Sequence, residues 1–364
     1  MVFPCFLLTA CLSPRGNEAA ELLADIAAGD GPSRLKQTAP EPVRSAIRYR
    51  RGSGDAVADL YGNTETPRGA VVVVPGLTPH GKDDARLAAF AKSLARAQFL
   101  VLVPDIANTR ALKVSASDSF HIADAVEELA ARFSGGGERS VGLVAISYAV
   151  GPALLAAAET PAGRQLRFIV AIGGYYDIEA AIGFVTTGAY REANGSWRRG
   201  APNEFGKFIF LRSNADRIAD PADRARLIAI AERRLADPAA DIGQLAARLG
   251  TQGRAVHELI DNRDPLRVGE LMAHLPEPIL RELRALDLRR TDLSRVPGPV
   301  FLVHGADDQI IPPGESAKLA AALGSRAELT LVERFAHVDA AATSLADSIR
   351  LLQATARILE ERDR

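Results

Sequence analysis

Three side chains set far apart in the sequence have the types needed for one reaction. Ser147 follows the apolar run Val141–Ile146, Asp308 follows the run Pro299–His304, and His337 comes at the end of the run Leu329–Phe335. A serine hydroxyl is a weak nucleophile until a neighbouring base takes its proton, and an imidazole steadied by a carboxylate is a suitable base. The chemistry of such a set is attack by oxygen on an electrophilic carbon, with a covalent intermediate. Residues so distant in the chain can meet only if the runs before them are strands of one sheet that end at one edge.

The sequence supplies such strands. Eight strand-like runs alternate with helical segments, the other five being Arg44–Arg50, Ala56–Tyr61, Ala70–Pro75, Phe99–Pro104 and Phe168–Gly173. The first two flank Gly52-Ser53-Gly54-Asp55 and read as a hairpin. Val71-Val72-Val73-Val74 and Val101-Leu102-Val103 are continuously apolar, as in parallel strands covered on both faces. Apolar spacing predicts helices over Ala85–Ala97, Ala123–Phe133, Pro152–Ala158, Ala317–Leu323 and Leu345–Leu359. With right-handed crossovers, these elements make an α/β fold with a doubly wound, mostly parallel eight-stranded sheet. Residues 1–43 read as an N-terminal lead-in, apolar to Cys11 and polar and Pro-containing from about Leu12 to Pro42, 44–177 and 297–364 as the α/β core, and 178–296 as an insertion too long for a loop. Its helical spacing over Pro221–Leu235, Ile242–Leu249 and Pro278–Leu286 predicts a helical cap over the strand ends. Phe184, Tyr190, Trp197, Phe205, Phe208 and Phe210 would either line a pocket under this cap or bury it against the sheet.

Ser147 stands between a strand and a helix with Ala145 and Ala149 two positions to either side, small enough for the close approach that a nucleophile elbow needs. The segment His304-Gly305-Ala306-Asp307-Asp308-Gln309-Ile310-Ile311-Pro312 resembles the H-G-x-x-D-x-x-[IV]-P setting of the triad acid in the α/β-hydrolase superfamily. That resemblance implies Asp308 as the acid, with Asp307 the competing assignment, and His337 as the histidine after the last strand. It also implies oxyanion-hole N–H donors at Leu77, after Pro75-Gly76, and at Tyr148, leaving both side chains available for substrate packing. The order serine, acid, histidine along the chain is the one this fold uses. His80, His121, His257, His274 and His304 fit the base position worse and read as surface or satisfied core residues. In Thr78–Asp84, Asp83 or Asp84 is expected to cap the next helix.

Composition narrows the function further. The 364 residues carry a formal net charge of -1 and no Lys/Arg-rich block, which argues against a nucleic-acid partner. Both cysteines, Cys5 and Cys11, lie near the start, so the folded body has no thiol for a disulfide, a zinc site or a cysteine nucleophile. No phosphate-binding glycine motif follows a strand, and no cofactor is expected. Leu8-Thr9-Ala10-Cys11 resembles a bacterial lipobox, and two expectations stand side by side: attachment to the cell-envelope membrane through an acylated Cys11, or a frayed apolar start on a cytoplasmic protein. The reaction expected is hydrolysis of a carboxylic ester of a small-molecule acyl substrate through an acyl-enzyme. Thioester hydrolysis, acyl transfer and a non-catalytic lipid- or ligand-binding role are the alternatives on the same scaffold.

Overall fold

A computed structural model describes residues 13–63, 66–133, 139–192, 195–202, 204–333 and 344–364. Its strands are β1 (Val43–Arg51), β2 (Gly54–Gly62), β3 (Gly69–Val74), β4 (Phe99–Pro104), β5 (Val141–Ile146), β6 (Leu166–Ile172), β7 (Ala189–Arg191), β8 (Trp197–Arg199), β9 (Val300–Gly305) and β10 (Ala327–Val332). Eight of them form one sheet in the order β1-β2-β4-β3-β5-β6-β9-β10. β1 and β2 pair antiparallel, as do β2 and β4, and every pair from β4 to β10 is parallel.

The strand chemistry explains this arrangement. β3 is Gly-Ala-Val-Val-Val-Val and buried throughout, so it can lie only where both faces are covered. β1 carries Arg44, Arg48, Arg50 and Arg51 and stands mostly exposed at the edge, where charge discourages pairing with another chain. Along β3, β5 and β6 alternate residues enter two separate cores. Val72, Val74, Leu143, Ala145, Ile169 and Ala171 meet one set of helices, Asp118–Arg132, Val150–Glu159 and Gly314–Leu323. Val71, Val73, Val144 and Val170 meet the other set, Pro14–Ala28, Ala85–Arg96 and Leu345–Arg362.

The helix Pro14–Ala28 lies within the polar, Pro-containing lead-in, where the sequence reading assigned no element. Ser13 caps it by accepting a hydrogen bond from the Gly16 N–H, and Pro14 occupies the first turn, where its missing N–H costs nothing. Residues 178–286 hold seven helices among the described residues, together with the β7–β8 hairpin, which the sequence reading did not anticipate. These helices have a core of their own, in which Leu211, Leu227, Ile230, Leu259 and Ile279 are fully buried. Among the described residues no helix is long and apolar enough to cross a membrane.

Candidate active site

The parallel strands end at one edge, and there the chain makes its strained turns. β5 runs straight into Ser147, whose φ of 57° lies in the left-handed region that a serine adopts only at a cost. A short 3-10 turn, Ser147–Ala149, then leads directly into the helix Val150–Glu159. Ala145 and Ala149 are 0% and 1% exposed, so the small side chains expected two positions to either side of the serine are needed for packing.

Two neighbouring strands close around the serine. After β3 comes Gly76; a Cβ there would stand 3.2 Å from the Cβ of Ser147 and 3.3 Å from the carbonyl oxygen of Ile146. A Cβ there would make its neighbours give by a few tenths of an ångström, so glycine suits this close approach of the β3 turn to the serine. Leu77, Ser147 and Tyr148 line one cavity. The acid side lies two strands away. β6 stands between β5 and β9, and at about 4.8 Å per strand the ends of β5 and β9 are roughly 10 Å apart. An imidazole with a hydrogen bond at each end suits such a gap.

Asp308, not Asp307, has the setting of a structural acid. Asp307 is exposed, whereas Asp308 is 5% exposed and its Oδ1 accepts hydrogen bonds from the N–H groups of Ile310 and Ile311 at 2.7 and 3.0 Å. Its Oδ2 lies 3.4 Å from His304 Nε2, and a Cβ on Gly173 would be 3.5 Å from it. Gly173 has a φ of 62° and needs no side chain to give way there. His304 is fully buried and serves as the expected core residue, with Nδ1 at 2.6 Å from Ser316 Oγ and Nε2 at 2.9 Å from the Ile311 carbonyl. His337 and Cys11 lie outside the described residues.

The Tyr148 hydroxyl is held by hydrogen bonds of its own, while the residue stays in the cavity lining. Its hydroxyl accepts from the Ser115 N–H at 2.6 Å and has the Ser115 carbonyl at 2.7 Å and Asp118 Oδ2 at 3.0 Å as acceptors. Burial, chiefly, and the nearby Asp118 carboxylate push the phenol well above its ordinary pKa, so it stays a donor. Burial also raises Asp118, against hydrogen bonds from Asn108 at 2.7 Å and from Tyr148. The same loop reaches the insertion. Ala116 N–H donates to Glu282 Oε1, and Glu282 Oε2 pairs with Arg217 at 3.0 Å. The residue after the nucleophile is thereby tied, through Ser115 and Ala116, to the insertion helix Glu277–Leu286 and to Arg217 in the turn after Phe205–Ala215.

Asp84 caps the helix Ala85–Arg96 by accepting from the Arg86 and Leu87 N–H groups, as expected. Asp83 instead pairs with Arg44 and Lys82. Of the insertion aromatics, Phe205 and Phe210 line the cavity and Phe208 joins the insertion core. Phe184 is buried edge-on against Tyr190 at 5.6 Å, and Trp197 lies under Arg191, 46% exposed.

The cavity holds about 1200 Å³, above the roughly 300–1,000 Å³ of ordinary small-molecule pockets. One arm runs under the insertion, past Tyr175, Ile182, Ile209 and Glu282. The other runs across the strand ends to the helices Pro14–Ala28, Ala85–Arg96 and Leu345–Arg362. Sequence reasoning missed this second arm because it missed the first helix. The signal was present in Ser13-Pro14 followed by Ala19, Leu22 and Ile26 at helical spacing.

No protein-family model and no curated protein matches the sequence. Solved structures do align with it. An acylaminoacyl peptidase of Pyrococcus horikoshii is 11% identical over 91% of this chain and 44% of its own, with a TM-score of 0.48. A puromycin-hydrolyzing peptidase of Mycobacterium tuberculosis is 15% identical over 88% and 38%, with a TM-score of 0.48. A 2,6-dihydroxy-pseudo-oxynicotine hydrolase is 12% identical over 87% and 68%, with a TM-score of 0.47. The chain spans less than half the length of the two peptidases. By its strand order, its parallel pairing and the left-handed serine between β5 and the following helix, the chain has the α/β-hydrolase fold.

Proposed function

We propose that the protein is a serine hydrolase that cleaves carboxylic esters through an acyl-enzyme, with Ser147 as nucleophile, His337 as base and Asp308 as the acid that orients it. One observation carries the reading: Ser147 is held at a φ of 57° at a strand-to-helix turn, against Gly76 and in the wall of a large cavity. Strain of this kind persists only where the surroundings over-determine it, and it aims the Oγ outward from the sheet edge. In the proposed cycle Ser147 Oγ attacks the ester carbonyl as His337 takes its proton. The same proton then goes to the departing alcohol. The Leu77 and Tyr148 N–H groups receive the developing oxyanion, each worth on the order of 3 kcal/mol in the transition state. Water, activated by His337, releases the acid and restores the serine.

The insertion acts in this reading as a cap that excludes bulk water from one side of the serine. An amide series run beside the ester series separates esterase from peptidase activity directly. Ser147→Ala is expected to abolish labelling by a fluorophosphonate probe and to lower kcat by about a million-fold, the scale of removing a triad nucleophile. Full labelling of a folded Ser147→Ala protein would overturn the assignment.

A further inference from the structure

We infer that the second arm of the cavity, under the helices Pro14–Ala28, Ala85–Arg96 and Leu345–Arg362, holds a long acyl chain, so that the substrates are long-chain esters. This rests on the serine-hydrolase reading and adds where the chain goes. The two arms of the cavity that Ser147 also lines differ in chemistry. The arm under the insertion includes Tyr175, Asn214 and Glu282. Among the described residues the buried Tyr175 hydroxyl has no hydrogen-bond partner, and burial together with the nearby Asp287 and Glu282 carboxylates raises its pKa, so it remains a donor. Such a wall suits the oxygen-bearing alcohol part of an ester.

The other arm is walled by Leu22, Ile26, Phe90, Ile146, Ile172 and Leu352. Its polar contribution from the last helix is limited to Ser348 and Thr355. An apolar wall of this kind holds water poorly and favours hydrocarbon. It is also long. The last helix lines it from Ser348 to Ile358, about 15 Å at about 1.5 Å per residue, and the first helix from Ala20 to Gly29 over a similar length. An acetyl or butyryl group leaves most of that length unfilled, whereas an extended fatty chain follows it from the serine to the far end.

The geometry also separates acyl from alcohol. Ile146 directly precedes Ser147, and its side chain lies on the face of β5 covered by the first and last helices. A carbonyl at Ser147 therefore has this arm beginning at the adjacent residue. Each methylene that enters raises kcat/KM by up to about fourfold, the equivalent of about 0.8 kcal/mol per buried CH2.

The test uses p-nitrophenyl acetate, butyrate, laurate and palmitate, together with acetate esters of long alcohols. Palmitate is expected to exceed acetate in kcat/KM. Ile26→Trp and Leu352→Trp should each lower the palmitate-to-acetate ratio at least tenfold, while Ile209→Trp, under the insertion, should instead lower the long-alcohol series. A flat acyl profile, or loss of palmitate preference in Ile209→Trp alone, overturns the inference. Either arm variant suffices if the other fails to fold. Titration of the Ser147→Ala protein with palmitate needs no turnover: tight binding that Ile26→Trp weakens supports the arm, and absence of binding overturns it. Fluorophosphonate labelling without palmitate binding would remove this inference and leave the hydrolase reading. Palmitate binding without labelling would do the reverse.

Discussion

The two faces of the central sheet are built from neighbouring residues of the same strands and reach opposite ends. On the face under Asp118–Arg132 and Val150–Glu159, Ala145 and Ala171 are 0% and 1% exposed, and the helices close over them. One residue further along each strand, Ile146 and Ile172 point to the other face, and both line the cavity only partly buried. The closed face carries the helix that follows the nucleophile and the network that holds Tyr148. The open face carries part of the cavity wall. A rigid frame and a pocket thus share one sheet, separated by the two-residue period of a strand.

The sharpest way to break this comparison is to remove equal bulk from the two faces. Leu143→Ala empties a fully buried site on the closed face, where the neighbours cannot collapse, and should cost about 2–5 kcal/mol in urea unfolding followed by circular dichroism. Ile26→Ala on the open face removes a side chain that already borders the cavity. No new void opens there, so the loss should be nearer about 1 kcal/mol. Equal losses would mean that the faces are packed alike and that the cavity is not a standing feature of the fold.

The same contrast decides how much the sequence disclosed. The core strands were legible because β-branched runs such as Val71–Val74 have no comfortable place except between two covered faces. Ser147 was legible because a strand, a small-residue turn and a helix occupy consecutive positions around it. The preference for Asp308 over Asp307 rested on a family resemblance, since neighbouring aspartates in a turn look alike in sequence; the structure separates them by burial and by the two N–H groups on Asp308 Oδ1. The first helix was lost inside a segment read as a polar, Pro-containing lead-in. There Ser13 followed by Pro14 is a helix start signal. The insertion resisted for another reason: amphipathic spacing tells which face of a helix is buried but not what buries it. Its three-residue strands β7 and β8 are also too short to show alternation.

A second prediction concerns the closed face alone. Tyr148→Phe deletes the hydroxyl that satisfies the Ser115 N–H and faces Asp118, leaving buried polar groups unpaired. The expected loss is about 1–3 kcal/mol of stability. Because the proposed catalytic group of Tyr148 is its main-chain N–H, kcat should fall by less than about tenfold, through a looser turn. A fall of a thousandfold with the fold intact would place the hydroxyl itself against substrate and dissolve the separation between frame and pocket.

The smallest effect, and the most discriminating, is a response to acid. Each face has a buried aspartate, and the two are shifted in opposite directions. Asp118, on the closed face, is raised above 3.8 by burial, which outweighs its hydrogen bonds. Asp25, on the first helix, is 0% exposed; burial opposes its ionisation, but Lys36 at 2.8 Å and the Ser33 and Ser93 hydroxyls outweigh that and hold it below 3.8. Arg96 adds an ion pair at 3.2 Å that ties the first helix to Ala85–Arg96. A lowered folded pKa means that the unfolded form binds the proton first, so the contribution of Asp25 is present above about pH 3.8 and disappears as pH falls through its folded value. For Asp118 the sign reverses: its contribution is full below about pH 3.8 and is lost as pH rises through the raised value. Acidification should therefore loosen the roof of the open face while leaving the closed face no weaker from this source. Hydrogen exchange should accelerate in residues 14–28 before residues 118–132, and Asp25→Asn should remove the acid-dependent part of that lead. Exchange that rises together in both helices at every pH would show that the first helix is not held separately by its carboxylate, and the open arm would then be no easier to unroof than the core.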